Sequence, residues 1–142
     1  MTWLLFLQKH WGSEGMFALQ MTERARELGM TSTTFKNASG LPDSGQVTTA
    51  RDMVRLAVRV MDDFPQYYHY FGLQSFNFNG KTHKSHNRLV RNYPGADGLK
   101  TGFIRASGFN VATTATRGNR RLVGIVMGAL RPSRVMPIWR IC

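Results

Sequence analysis

Lys100-Thr101-Gly102 is the triplet in this 142-residue sequence whose residue types best suit a ligand ending in a carboxylate. A lysine ammonium beside a cleft supplies a compact positive charge, and a threonine hydroxyl can donate to the same group, so the two are expected to converge on one ligand. Gly102 has no Cβ, so an extended substrate backbone could lie close against the strand and pair with its free N–H and C=O groups. The expected mode is substrate binding by strand addition. Three common residues also recur by chance as ordinary strand sequence, so the surroundings must decide.

Other polar candidates carry less chemistry. His10, His69, His83 and His86 lack the spacing of a zinc site on a helix, with only Lys84 and Ser85 between the last two. No metal and no cofactor is expected. Tyr67-Tyr68-His69-Tyr70-Phe71 lies near basic residues and could serve as a stacking platform, but helical spacing favours a packed amphipathic turn.

The elements that must position the triplet run from helices to strands. Trp3 to His10 suggests a helix remnant. Ser13 suits an N-cap, and Phe17, Met21, Ala25 and Leu28 recur at helical spacing until Gly29 ends the run, which predicts a helix with these residues in the core. Gly40-Leu41-Pro42-Asp43-Ser44-Gly45 is a turn-rich loop. Thr49 with Asp52 reads as a capping-box variant ahead of a stripe of Met53, Leu56, Ala57, Val60 and Met61, and Pro65 starts a new segment. Phe76 and Phe78 alternate with polar residues before Asn79-Gly80, a hairpin signal. Phe109 to Ala115 is expected to pair with Arg121 to Met127 across Arg117-Gly118-Asn119, forming an antiparallel sheet with Lys100 on a neighbouring strand.

Composition describes a globular chain, with 42% hydrophobic and 11% aromatic residues, enough for a packed core. The net charge of +11 is uneven: residues 1–50 hold four basic and four acidic side chains, against fifteen and four in residues 51–142. That excess favours anionic partners, whether nucleic acid, a membrane surface or an acidic polymer, or else simply gives a solvated face. Cys142 is the single cysteine and cannot form an internal disulfide. Met1 to Lys9 has too short an apolar run, no basic lead and no small-residue cleavage site, so neither a secretory signal nor a membrane span is expected.

Five segments in order make the chain from about Ser13 to Met127 resemble the low-molecular-weight penicillin-binding proteins, the D-alanyl-D-alanine carboxypeptidases of peptidase family S11. They are residues 21–30 (MTERARELGM), 34–43 (TFKNASGLPD), 49–53 (TARDM), 87–90 (NRLV), and 95–102 (GADGLKTG) with Ser107-Gly108-Phe109-Asn110. The resemblance implies an α+β fold, part of a beta-lactamase/transpeptidase-like domain with helices followed by an antiparallel sheet. It implies a partial domain over residues 1–128 and a divergent basic tail over 129–142. It further implies a serine-type carboxypeptidase of peptidoglycan maturation, whose substrate is a stem peptide ending in D-Ala-D-Ala and whose place is the periplasm or cell envelope.

Three motifs build that family's site: a Ser-x-x-Lys whose serine is acylated, a Ser-x-Asn that helps proton transfer, and the Lys-Thr-Gly strand. No serine here is followed three residues later by lysine. The Ser-x-Asn element is expected roughly a hundred residues before Lys-Thr-Gly, ahead of Met1. Ser85-His86-Asn87 spells it only thirteen positions before Lys100 and reads as a decoy in a polar strand or loop. By resemblance Lys100, Thr101 and Arg105 would hold the substrate carboxylate, Gly102 would admit its backbone, and Phe103 would lend an oxyanion-hole N–H. Ile104 stands where many members carry threonine, which loosens hydrogen bonding around Lys100.

The chain is accordingly expected to be truncated on its N-terminal side, inactive alone, and able to meet beta-lactams only if the missing part is supplied. Where the family continues with a helix, Leu130 to Arg140 has two prolines and no helical stripe, and residues 117–142 hold six arginines and no acid. Two alternatives stand beside this reading. One is a non-catalytic remnant that binds peptidoglycan or a partner, and the other a basic nucleic-acid binder with no recognition motif.

Overall fold

Ser13 opens the first element of the computed structural model, which describes residues 12–130. Its backbone is extended and its hydroxyl accepts from the Met16 N–H at 3.2 Å, capping helix α1, Glu14–Glu27. Glu14 in the first turn and Arg24 and Arg26 in the last suit the helix dipole. Gly29, at φ +78°, ends the helix in a conformation that glycine adopts without strain. The expected inward face is present but graded: Ala25 is buried, while Phe17, Met21 and Leu28 are half-buried. The helix suggested over Trp3 to His10, His10 itself and the tail beyond Leu130 with Cys142 lie outside the described residues.

The chain forms two compact units, one up to Leu56 and one from Ala57 onward. In the first, the loop after α1 is closed by reciprocal backbone bonds between Thr34 and Val47, at 2.9 and 3.1 Å. The Gln46 side chain accepts from the N–H groups of Lys36 and Asn37 and donates to the Leu41 carbonyl. Helix α2, Ala50–Asp63, begins where the Thr49 hydroxyl accepts from the Asp52 N–H at 3.2 Å. Only half of the expected capping box forms. The Asp52 carboxylate turns away from the cap and accepts from the Ser32 N–H (2.9 Å) and the Thr33 hydroxyl (2.7 Å), with Arg55 at 3.2 Å. Asp52 is 1% exposed, so three donors answer a buried charge. Burial alone would raise its carboxyl; the bonds from Thr33 and Ser32 and the Arg55 charge outweigh that and hold it below the ordinary value.

The second unit begins with a 3₁₀ helix, Pro65–Gly72. Here the expectation of a packed aromatic turn needs correcting. Tyr67 and Tyr70 are exposed and only Tyr68 is half-buried, because three residues per turn stack side chains in rows, and one row faces the protein. Strands β1, Ser75–Phe78, and β2, Lys81–Lys84, follow as a hairpin. Phe78 pairs with Lys81, so Asn79-Gly80 is a two-residue turn with both φ positive, +48° and +72°, as an Asn-Gly turn of this type requires. Helix α3, Arg88–Asn92, leads into the antiparallel sheet of β3, Ala96–Ile104, β4, Gly108–Arg117, and β5, Arg120–Ala129, in that spatial order. Leu89 and Val111 form its core, packed by Tyr93, Ala96, Val126 and Ala129. This is the α+β arrangement expected, helices first and antiparallel sheet last.

Candidate functional site

Residues 97–103 run as strand, and β3 is an edge. It has β4 on one side and, among the described residues, no strand on the other. Lys100 lies opposite Ala112, Thr101 opposite Val111, Gly102 opposite Asn110 and Phe103 opposite Phe109. The triplet therefore sits in a regular ladder, with Lys100 and Gly102 exposed and Thr101 half-buried.

The edge is fixed immediately upstream, at Gly98. Its carbonyl accepts from the Asn87 side-chain amide at 3.0 Å and from the Thr113 hydroxyl at 2.8 Å. Both donors are buried, at 6% and 1% exposed, where an unpaired polar group would be costly. Asn87 also caps α3, its Oδ1 accepting from the Leu89 N–H at 3.1 Å. Ser85, outside the strands, accepts from the Asn87 N–H at 3.2 Å. The Ser85-His86-Asn87 sequence thus occupies a loop and a helix cap, and Asn87 reaches the Lys100 strand through its backbone.

A second cluster holds Asp97. The Thr114 hydroxyl donates to Asp97 Oδ1 at 2.7 Å and Arg121 pairs with Oδ2 at 2.8 Å. Since Thr114 spends its one proton on Asp97, the Tyr68 hydroxyl must be the donor in its bond to Thr114. The Arg121 guanidinium lies 5.1 Å from the Tyr68 ring centroid. Burial first, and then the Asp97 charge, push the Tyr68 phenol up, outweighing the Arg121 charge, which pulls it down. Gly98 is glycine because this cluster leaves no room: a Cβ would stand 2.7 Å from the Tyr68 hydroxyl and 3.1 Å from Thr114 Oγ1.

Strand alternation starts the Lys100 and Thr101 side chains from opposite faces of β3, so the two can meet one ligand only where it lies along the strand's edge. The long lysine stem compensates: the Lys100 ammonium bends back and donates to the Thr101 carbonyl. Lys100 makes no ion pair among the described residues. Phe103 is 56% exposed, with its ring centroid 4.4 Å from that of Phe109. Two residues apart, Thr101 and Phe103 present their backbone polar groups to the same strand edge. Arg105 is exposed in the turn after β3, and half-buried Ile104 shares the face of Lys100 and Gly102.

Asn87, Thr113, Thr114, Tyr68 and Arg121 were not singled out by sequence as site residues, and only the polar residues inside the alternating strand sequence offered any hint. In the first unit, Phe17, Met21, Leu28, Met30, Phe35 and Leu56 line a mostly apolar cleft of about 360 Å³, with Gln20 and Arg24 its polar lining residues. Among the described residues no three His, Cys, Asp or Glu side chains come together as metal ligands, and no helix is long and apolar enough to cross a membrane.

Known proteins fall in line with this arrangement. A family profile described as D-alanyl-D-alanine carboxypeptidase matches residues 7–131. The chain is 38% identical over 119 residues to D-alanyl-D-alanine carboxypeptidase DacC of Escherichia coli, over 83% of this chain and 30% of that one. It therefore spans less than a third of that relative's length. Penicillin-binding protein 5 of Haemophilus influenzae superposes with a TM-score of 0.83 at 27% identity, covering 96% of this chain and 42% of that one. Penicillin-binding protein D2 of Listeria monocytogenes, solved with cefotaxime bound, gives 0.79 at 32% identity, covering 88% and 52%. With the family profile matching most of its length, this chain belongs to the D-alanyl-D-alanine carboxypeptidase family, peptidase family S11.

Proposed function

We propose that β3 is the substrate-binding wall of a serine D-Ala-D-Ala carboxypeptidase site, and that the polypeptide alone does not catalyse the reaction. The observation that carries the reading is the edge of β3, unpaired among the described residues, with an exposed lysine at its centre that makes no ion pair with any of them. Lys100 supplies charge for the terminal carboxylate of a peptidoglycan stem peptide, with Thr101 and Arg105 donating to the same group. Gly102 lets the peptide backbone approach, and the Phe103 N–H contributes one donor to the oxyanion hole. Residues 1–128 make up a partial transpeptidase-like domain and 129–142 a divergent basic tail, acting at the cell envelope.

In the complete reaction a serine oxygen attacks the carbonyl carbon of the D-Ala-D-Ala amide and gives up its proton. The C–N bond breaks, protonated D-alanine leaves, and water hydrolyses the resulting ester to restore the serine. The 142 residues contain no Ser-x-x-Lys to provide that oxygen. Losing the nucleophile leaves only the small rate enhancement that binding groups give. Fluorescent penicillin followed by denaturing electrophoresis tests this: no labelled band is expected, and a covalent band would show that another serine acts. The open edge also favours a second reading, a non-catalytic module that still binds stem peptides. Beta-lactam acylation requires the missing nucleophile in either case.

A further inference from the structure

Between Asp63 and Asp97 the chain has no acidic residue, four lysines or arginines and three histidines. This stretch contains the β1–β2 hairpin, in which every strand residue is exposed. The register pairs Phe76 with His83 and Phe78 with Lys81, so these four side chains share one face, and the Phe76 and His83 rings stack at 5.2 Å. Phe76 and Phe78 are 56% and 62% exposed. Just upstream Tyr67, Tyr70 and Leu73 are exposed as well. Single apolar side chains on a surface are ordinary; several in one short acid-free stretch, flanked by cations, mark an interaction surface.

The kind of partner follows from what each group needs. Lys81 and Lys84 call for anions, while the phenyl rings have no polar atom and gain only by leaving water. A hydrated polyanion meets the first need alone. Single-stranded nucleic acid could stack on the rings, but such sites are grooves that track a backbone, and this hairpin is a separate two-stranded sheet. An anionic bilayer meets both needs, with headgroups for the lysines and the headgroup–acyl boundary for the phenyl rings. Tyrosines such as Tyr67 and Tyr70 favour that same interface.

We propose that the β1–β2 hairpin is a peripheral membrane-binding tip that inserts Phe76 and Phe78 into the surface of an anionic lipid bilayer, with Lys81, which shares their face, against the headgroups. The inference rests on the hairpin and does not depend on the carboxypeptidase reading.

Co-sedimentation of the full chain with phosphatidylglycerol/phosphatidylcholine vesicles tests it. Binding is expected to anionic vesicles and not to phosphatidylcholine alone. The double substitution Phe76→Ser with Phe78→Ser should weaken it at least tenfold while leaving the circular dichroism unchanged. Lys81→Gln should weaken it by about fivefold, and Lys84→Gln, on the opposite face of the hairpin, by less. Phe78→Trp, which keeps the ring, should bind and add a blue-shifted emission when vesicles are present. Failure to bind anionic vesicles overturns the proposal, as does equal binding by the double serine variant, which would leave only the net positive charge as the cause. Tighter, ring-dependent binding to a single-stranded oligonucleotide would overturn it in favour of nucleic acid.

Discussion

Asn87 donates its side-chain amide to the carbonyl of Gly98 at 3.0 Å, tying the N-cap of α3 to the strand two residues before Lys100. One buried side chain thus serves a helix end and the strand that presents the ammonium. Replacing it tests both roles. Asn87→Ala should cost about 1–3 kcal/mol in denaturant unfolding, since the Leu89 N–H loses its cap and Gly98 one of its two donors. Asn87→Asp keeps the cap acceptor and sets a carboxylate against the Gly98 carbonyl, so any recovery it gives measures the cap alone. A loss below about 0.5 kcal/mol for Asn87→Ala would show that the link carries nothing.

Gly98→Ala should destabilise by about 1–3 kcal/mol through overpacking against the Tyr68 hydroxyl and Thr114. Adding Tyr68→Phe removes the nearer oxygen, so the double variant should be less damaged than the two single losses predict. Simple additivity would contradict the steric account.

Tyr68 is pushed above its ordinary value of 10.0, so the folded state favours the neutral phenol. That contribution is whole below the unfolded value and is lost as pH rises through the folded one. Ultraviolet titration of the four tyrosines should show a late-ionising component in the wild type that Tyr68→Phe abolishes. Persistence of that component in the variant would assign it elsewhere.

Asp52 has the opposite sign. Its carboxyl is held below the ordinary 3.8, so it stabilises the fold above that value, and the contribution disappears as pH falls through the folded one. The stability gap between wild type and Asp52→Asn should be full near neutrality and should close below about pH 4. A gap independent of pH would mean that the amide loses only shape and hydrogen bonding.

Local chemistry made much of this fold legible in the sequence. Ser13 and Gly29 bracket α1, Asn79-Gly80 sets the β1–β2 turn, and the alternating segments after Gly102 pair across Gly118-Asn119. In each case the deciding residues sit within a few positions of the feature they decide. The devices that hold the site strand work over longer distances. Tyr68 meets Thr114 from 46 positions away, and Asn87 meets Gly98 from 11. Asn87 was visible as the last residue of a misplaced motif and the first of the 87–90 segment, whereas its work is done by an amide aimed at a backbone carbonyl. The aromatic run at Tyr67–Phe71 was misread because α-helical spacing does not govern a 3₁₀ segment. The opposed faces of Lys100 and Thr101 follow from strand period, which a three-letter motif conceals.

The most direct test of the β3 edge is titration of the full chain with an N-acylated peptide ending in D-Ala-D-Ala, followed by heteronuclear NMR at the Lys100-Thr101-Gly102 amides. The account predicts saturable shifts there that weaken at least tenfold in Lys100→Ala and with the C-terminally amidated peptide. Shifts that are absent, or that survive both changes, would contradict it.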